Sequence, residues 1–303
     1  MDRHAPALAF GSFMSDFLQF LLSGVTVGAV YALIALGFII IYNASDVVNF
    51  AQGEFVMLGG MGTVFAQQAG MPLPLAAAAA ICVTALIGVI FNRVAIETAR
   101  NAPVVSLIII TIGASIFIQG VVQIVLGKRI YRLPSFSGDT PIDLFGAKIL
   151  PQSLWVMGGG VLIFFALWLF FTRTLTGRAV LATSNNRFAA QLVGINTNAM
   201  MTLSFGLSAA IGALAGVLIS PITLTSYQVG VPLALKGFAA AMLGGMGNPK
   251  GALAGGLLLG LLEAFTAGYI SSHYKDAVAF IVLIALLFVR PLGLFGTATI
   301  NRV

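Results

Sequence analysis

The sequence predicts an all-α fold: a polytopic transmembrane helical bundle of about eight membrane segments, with short or broken helices near both ends of the chain. Three observations carry that expectation. Only 8% of the 303 residues are charged, whereas a soluble domain has about 25%, so the chain lacks the polar surface needed to dissolve. Hydrophobic residues make up 59% and the mean hydropathy is +1.04, which excludes an aqueous globular enzyme. The apolar residues also fall into runs near the length of a membrane span. At about 20 residues per crossing helix, the chain holds about eight spans and short loops, with no large soluble domain. The six excess positive charges lie singly or in small groups at the ends of apolar runs. That pattern orients a membrane protein and gives no reason to expect nucleic acid as a partner.

Residues 1–303 therefore form one transmembrane domain, with apolar segments over 17–42, 47–67, 75–91, 104–126, 154–171, 199–220, 235–266 and 276–290. The first run, Phe17 to Tyr42, has 26 residues. A cleavable signal core has about 7 to 15, so this segment is expected to stay in the mature protein as a helix. The runs from Leu75, Val104, Leu154 and Ala199 are uncharged and near spanning length, which makes them ordinary transmembrane helices.

The remaining segments are short. Phe55 to Ala66 has 12 residues, about 18 Å of helix against about 30 Å of hydrocarbon. An N-cap at Ser45 or Asp46 would lengthen that helix and place Glu54 within it. Gly237 to Met246 and Gly251 to Leu262 are divided by the turn sequence Gly247, Asn248, Pro249, Lys250, Gly251. The last run, Ala277 to Val289, ends at Arg290 and Pro291.

Backbone broken at membrane depth survives only inside protein or along a water-filled path. The two interrupted regions, one early and one late, thus either mark a transport pathway or are loops joining short helices. Their placement suits a transporter built from repeats, although no alignable repeat accompanies it. Glycine pairs four apart, Gly24 with Gly28, Gly212 with Gly216, Gly251 with Gly255 and Gly256 with Gly260, allow close helix approach. In a chain with 35 glycines, any single pair also arises by chance.

Charge counting leaves orientation open. Arg93, Arg100, Arg173, Arg178 and Arg187 share one side if the fourth and fifth spans each cross once, and Lys128, Arg129, Arg132 and Lys148 lie opposite. Acids count little in this rule.

The segment Asn43 to Phe55 places Asn49, Gln52, Gly53 and Glu54 between two apolar stretches. A charge at depth costs at least about 2.5 kcal/mol, so these residues either line a path or hinge, or form a helix start with Glu54 at the interface. Gly244, Gly245 and Gly247, at the late interruption, join them as path or hinge candidates. Glu263 reads as an interfacial acid near a helix end with no intramembrane base as a visible partner. The acid-free basic loop 173–198 contains Ala189 to Ile195, a candidate short helix whose Gly194 lets the chain turn out and which suits docking into a partner's groove.

Several chemistries are absent from the sequence. It contains no G-x-x-x-x-G-K-[ST] phosphate loop, no HExxH and no histidine paired with a nucleophile. Cys82 is alone, and His4 and His273 are far apart, so no metal site, no catalytic residue and no cofactor is expected.

The stretch Gly24 to Gly60, "GVTVGAVYALIALGFIIIYNASDVVNFAQGEFVMLGG", resembles the N-terminal signature of permease subunits of bacterial branched-chain amino-acid ABC importers. Gly177 to Asn196 is similar to that family's cytoplasmic loop, and "AAAMLGGMGNPKGALAGGLLLGLLE" and "RPLGLFG" to its C-terminal segments. The resemblance covers roughly Gly24 to Gly296. It implies a subunit in the bacterial inner membrane that forms the path for branched-chain or related amino acids. The implied partners are a second, related but non-identical permease subunit, two ATPase subunits and a periplasmic binding protein. Arg178, Ala189, Ala190 and Gly194 then fall in the ATPase-coupling loop. The family pattern has an acid where this chain has Phe188, a second arginine at Leu181 and an acid at Asn186. Two alternatives are the same architecture carrying urea, amides or another small organic solute, and an ion-coupled secondary transporter. The latter would have only Glu54 and Glu263 to hold its ion.

Overall fold

The computed structural model describes residues 5–296 except residues 101 and 145, and His4 lies outside them. The helices are α1 (Ala5–Ser45), α2 (Gln52–Gln68), α3 (Leu73–Phe91), α4 (Val104–Val125), α5 (Pro151–Arg173), α6 (Leu175–Asn185), α7 (Arg187–Leu192), α8 (Thr197–Thr223), α9 (Gly230–Gly244), α10 (Pro249–Tyr269) and α11 (Lys275–Val289). One π-turn, Asn92–Ile96, continues α3, and a hairpin of β1 (Ile142–Leu144) and β2 (Ala147–Ile149) precedes α5. The hairpin is an addition to the all-α expectation. Buried Ala147 and Ile149 and two hydrogen bonds between Gln19 and Lys148 seat it on α1.

Helix starts follow local chemistry. The side chains of Thr174, Asn186, Asn196 and Asn248 accept N–H groups from the first turns of α6, α7, α8 and α10. Proline lies in the first turn of α3, α5 and α10, where its missing N–H costs nothing.

Among the described residues, six helices are long and apolar enough to cross a membrane: Met14–Ser45, Leu73–Ile96, Val104–Val125, Pro151–Arg173, Thr197–Thr223 and Pro249–Tyr269. The sequence suggested about eight such segments. The shorter helices α2, α9 and α11 have 17, 15 and 15 residues. Residues 235–266 are not one segment, because Gly245 and Gly247 at φ +101° and +92° turn the chain between α9 and α10. Nor does α2 begin at Ser45 or Asp46. Helix α1 runs through Ser45, Asp46 breaks it at φ +56°, and α2 starts at Gln52.

Helices α1 and α8 form the centre, with 89% and 72% of their apolar windows buried against 17% and 11% for α4 and α5. Around them the fold repeats itself. Helix α1 runs antiparallel to α10, with Gly24 facing Leu261 and Gly256 facing Ala32. In the same way α8 runs antiparallel to α3, with Asn92 bonded to Thr202 and Gly88 facing Ala209. Helix α9 lies parallel to α1 through Gly237 on Ile34 and Asn43 on Gly247, as α2 lies parallel to α8 through Gly212 on Phe55 and Gly60 on Ser220. Helices α1–α3 and α8–α10 are thus two inverted halves that interleave, an arrangement transporter folds use.

All four glycine pairs singled out in the sequence lie in helix seams, three in those just described and Gly251 with Gly255 between α9 and α10. A Cβ added at Gly260 would lie 2.3 Å from the Gly28 nitrogen, at Gly256 2.3 Å from Ala32 N, at Gly216 1.9 Å from Val56 O and at Gly255 2.1 Å from Ala240 O. Chance spacing therefore does not explain them; they set backbone-to-backbone approach within one chain.

One ionic cluster crosses the second half. The Lys236 ammonium on α9 lies 3.0 and 3.1 Å from the two oxygens of Glu263 on α10 and 2.7 Å from Asp276 Oδ1 on α11. The Tyr31 hydroxyl on α1 donates to Glu263 Oε2 at 2.7 Å, and the Lys236 ammonium lies 5.5 Å from the centre of the Tyr31 ring. The view of Glu263 as an interfacial acid without a base is thus overturned. Its side chain is only 7% exposed, and its base comes from the neighbouring helix, 27 residues earlier.

Two outcomes follow for stability in detergent, read by thermal or denaturant unfolding. Gly260→Leu is expected to cost at least about 1–3 kcal/mol through overpacking, whereas Gly113→Leu and Gly120→Leu, which meet nothing within 4 Å, stay within about 0.5 kcal/mol of the parent. Lys236→Met, which leaves Glu263 buried without its cation, is expected to cost about 3–5 kcal/mol, and adding Glu263→Met recovers most of that loss. Equal melting of Lys236→Met and the parent would remove the cluster from the account of stability.

Candidate functional site

The connection between α1 and α2 and the connection between α8 and α9 meet beside α4, whereas the late interruption named in the sequence does not. Between α1 and α2, the Phe50 N–H donates to Thr111 Oγ1 at 3.2 Å, and the Ser115 hydroxyl donates to Glu54 Oε1 at 2.8 Å. Between α8 and α9, Gln119 Nε2 donates to the Tyr227 carbonyl at 3.2 Å. Thr111, Ser115 and Gln119 are four residues apart and share one helical face. This polar stripe lies in a run that the sequence analysis treated as a plain span. Its i, i+4, i+8 spacing was the available signal.

The residues Asn49 to Glu54 have different tasks. Asn49 is fully buried, and its Oδ1 accepts the Ala51 N–H at 3.1 Å, which tightens the turn into α2. Gln52 joins three helices: its Nε2 donates to the Ser208 carbonyl at 3.2 Å, and the Ser208 hydroxyl is shared between Gln52 Oε1 at 2.7 Å and the Gly37 carbonyl at 2.8 Å. At Gly53 a Cβ would lie 2.0 Å from the Gly230 carbonyl oxygen, so only glycine lets α2 cross the start of α9. Glu54 is a helix-start residue, in the first turn of α2, and is 0% exposed, so its carboxylate is enclosed by protein. Its Oε2 has no hydrogen-bond partner and faces Gly230.

Gly244, Gly245 and Gly247 do not join this group. They lie at the far end of α9, about 21 Å from Gly230 at 1.5 Å per residue. There Gly244 packs on Gly251, and the C-terminal segment closes the corner through Leu294 N–H to Leu243 O and Phe295 N–H to Gly244 O. They form a latched turn apart from the residues around Glu54.

A cavity of about 230 Å³ lies between α4 and α9, lined by Phe50, Ile112, Ser115, Ile116, Val231, Ala234 and Leu235. Ser115 is its polar side chain and also the contact to Glu54. Ile112 and Ile116 are 43% and 66% exposed, so the cavity opens on the outer face of the bundle.

At the end of the bundle where α5 finishes and α8 starts, α6 and α7 form the loop 173–198. The α7 residues Arg187, Phe188 and Gln191 share a cleft with Arg100 and Asn198, which places the Arg93–Arg100 region on the same side. Arg178 is exposed, and its Nε donates to the Thr172 carbonyl at 3.2 Å. Ala189 and Gly194 are exposed, and Gly194 turns the chain at φ +85°. Ala190 is 3% exposed and faces inward, while Phe188, Leu192 and Val193 project at 71%, 73% and 75% exposure. The sequence analysis missed these three as a surface, because their outward direction depends on how α7 sits on α8.

Comparisons with known proteins bear on this geometry. The family described as "Branched-chain amino acid transport system / permease component" matches residues 20–287. The chain is 36% identical to the high-affinity branched-chain amino acid transport system permease protein LivH of Escherichia coli strain K12, over 95% of this chain and 98% of that protein. It is 35% identical to the corresponding permease protein BraD of Pseudomonas aeruginosa, over the same shares. A probable branched-chain amino acid transport permease protein LivH of Methanocaldococcus jannaschii is 29% identical over 87% of this chain and 88% of its own. No solved structure matches. With most of its length matched both by the family and by relatives above 30% identity, the chain belongs to the family of branched-chain amino acid transport system permease components.

Proposed function

We propose that the chain is one permease subunit of an ATP-driven importer in the bacterial inner membrane, forming part of the path for branched-chain amino acids. The carrying observation is α7: a six-residue helix at one end of a membrane bundle that holds Phe188, Leu192 and Val193 out into solvent. Exposed apolar groups clustered beside Arg187, Gln191 and Asn198 mark a protein contact. A helix laid into a partner's groove also transmits force to the helices α6 and α8 that flank it. The partner read here is an ATPase subunit, two per importer, since the chain carries no phosphate-binding loop of its own. A second permease subunit and a binding protein complete the assembly.

Docking sets the orientation. The described Lys and Arg residues divide almost evenly between the two ends: Arg93, Arg100, Arg173, Arg178, Arg187, Lys250 and Arg290 against Lys128, Arg129, Arg132, Lys148 and Lys275, with Lys236 inside the bundle. With the α7 end in the cytoplasm, the hairpin end faces the periplasm. In this reading the short helices α2 and α9 count as membrane segments alongside the six full spans, supported by the antiparallel run of α9 against α10 and of α3 against α8, to which α2 lies parallel. The cavity between α4 and α9 is read as half of a path completed by the second permease subunit.

A self-contained ion-coupled carrier has weaker support. Glu263, one of its two candidate ligands, is neutralised by Lys236.

Leu192→Asp combined with Phe188→Asp is expected to abolish ATPase co-purification and to lower ATP-driven uptake at least about tenfold, since interface anchors are worth about 2 kcal/mol or more each. Membrane insertion and helix content remain unchanged. Normal uptake in that variant removes the docking assignment, and uphill uptake by this chain alone under a proton or sodium gradient removes the importer reading.

A further inference from the structure

Among the described residues, two carboxylates are buried in this membrane bundle, and they are satisfied differently. Glu263 has Lys236 and the Tyr31 hydroxyl. Glu54 has Ser115 on Oε1 and nothing on Oε2, at 0% exposure. A carboxylate left half-satisfied at depth is costly, and such groups mark paths and ligand contacts. The missing partner is a donor of N–H or O–H groups, and a cation satisfies a carboxylate best.

The surroundings define what such a cation would carry. The cavity beside Glu54 is walled by the aliphatic side chains of Ile112, Ile116, Val231 and Leu235 and by the Phe50 ring, with Ser115 as the polar point. Ser115 lines the cavity and its hydroxyl makes the Glu54 contact, so this residue lies between the two on the α4 side. On the α9 side the cover is Gly230, where a Cβ would lie 2.6 Å from Glu54 Oε2.

We propose that the Glu54 carboxylate, screened by Ser115 and Gly230 at the edge of the cavity between α4 and α9, is the contact for the ammonium group of an aliphatic amino acid in transit, whose side chain the cavity accepts. The inference rests on the permease reading above. One charged contact gives the fleeting hold that passage needs, since a path must bind its solute weakly enough to release it.

The test uses the whole importer in proteoliposomes, with cargo-loaded binding protein outside and ATP inside. Glu54→Gln keeps the size of the side chain and its acceptor for Ser115 but removes the charge. Leucine uptake is expected to fall about tenfold or more, the loss of one charge-assisted contact. ATP hydrolysis stimulated by the binding protein stays within about twofold, and Glu54→Asp recovers part of the uptake. Wild-type uptake in Glu54→Gln overturns the ammonium contact and leaves the importer reading intact, whereas a parent complex that moves no amino acid on ATP overturns that reading itself. Loss of assembly or of thermal stability together with uptake assigns Glu54 to packing and also overturns the proposal.

A second measurement leaves Glu54 in place. In a Cys82→Ala background, needed because Cys82 is exposed, thiol labelling of Leu235→Cys is expected to slow during leucine turnover. An unchanged labelling rate overturns the cavity as the side-chain site.

Discussion

The structure depends on helix backbones coming into direct contact where side chains would normally hold them apart. In hydrocarbon there is no hydrophobic gain from pressing two helices together, so dispersion and short polar contacts must do it. Small residues make that possible. Gly28 and Gly260 meet on the α1–α10 seam, Gly216 meets Val56 on the α2–α8 seam, and Gly244 meets Gly251 on the α9–α10 corner. These seams surround both interrupted connections with protein, and that enclosure is the condition under which broken backbone is tolerated at depth. Gln52 and Ser208 then satisfy polar groups where α1, α2 and α8 come together.

The same tightness explains how charge is handled. Lys236, Glu263, Asp276 and Tyr31 are drawn from four helices; the two carboxylates share the Lys236 ammonium, and the Tyr31 hydroxyl donates to Glu263. Such a cluster holds α9, α10 and α11 in register against α1, and its Coulombic gain is largely offset by desolvation. Glu54 sits in the other half, near the crossing of α2 and α9, with one oxygen committed to Ser115. Its half-satisfied state sets it apart, and the nearby cavity gives that state a chemical context.

The interleaved halves also suggest how motion at one end reaches the middle. Helix α7 is joined through short turns to α6 and α8, and α8 packs along both α2 and α3. A push on α7 is thereby applied to the helix that carries the Gln52 clamp. Helices α2 and α9 cross at Gly53 and Gly230, with glycine on both sides and the Glu54 and Ala234 side chains beside the contact.

Composition and run length were enough to establish a membrane bundle, because the solvent a chain needs is written in its average polarity. The late turn at Gly247–Gly251 and the short helix around Ala189 were legible for local reasons, in φ preference and capping. The hairpin, the start of α2 and the base that pairs with Glu263 were not, since each rests on a neighbour distant in sequence. The string Met-Leu-Gly-Gly-Met-Gly occurs twice, at Met57–Gly62 and at Met242–Gly247. In the first it is the middle of α2, and in the second it ends α9 with Gly245 at φ +101°. Identical residues thus took different conformations according to what packs on them. The sequence by itself determined that this chain lives in lipid, where its helices lie and which positions are small enough for close approach. The tertiary structure alone decided which small residue meets which backbone, which charge finds a counter-charge and which remains open, because those depend on distances between helices that no local spacing encodes.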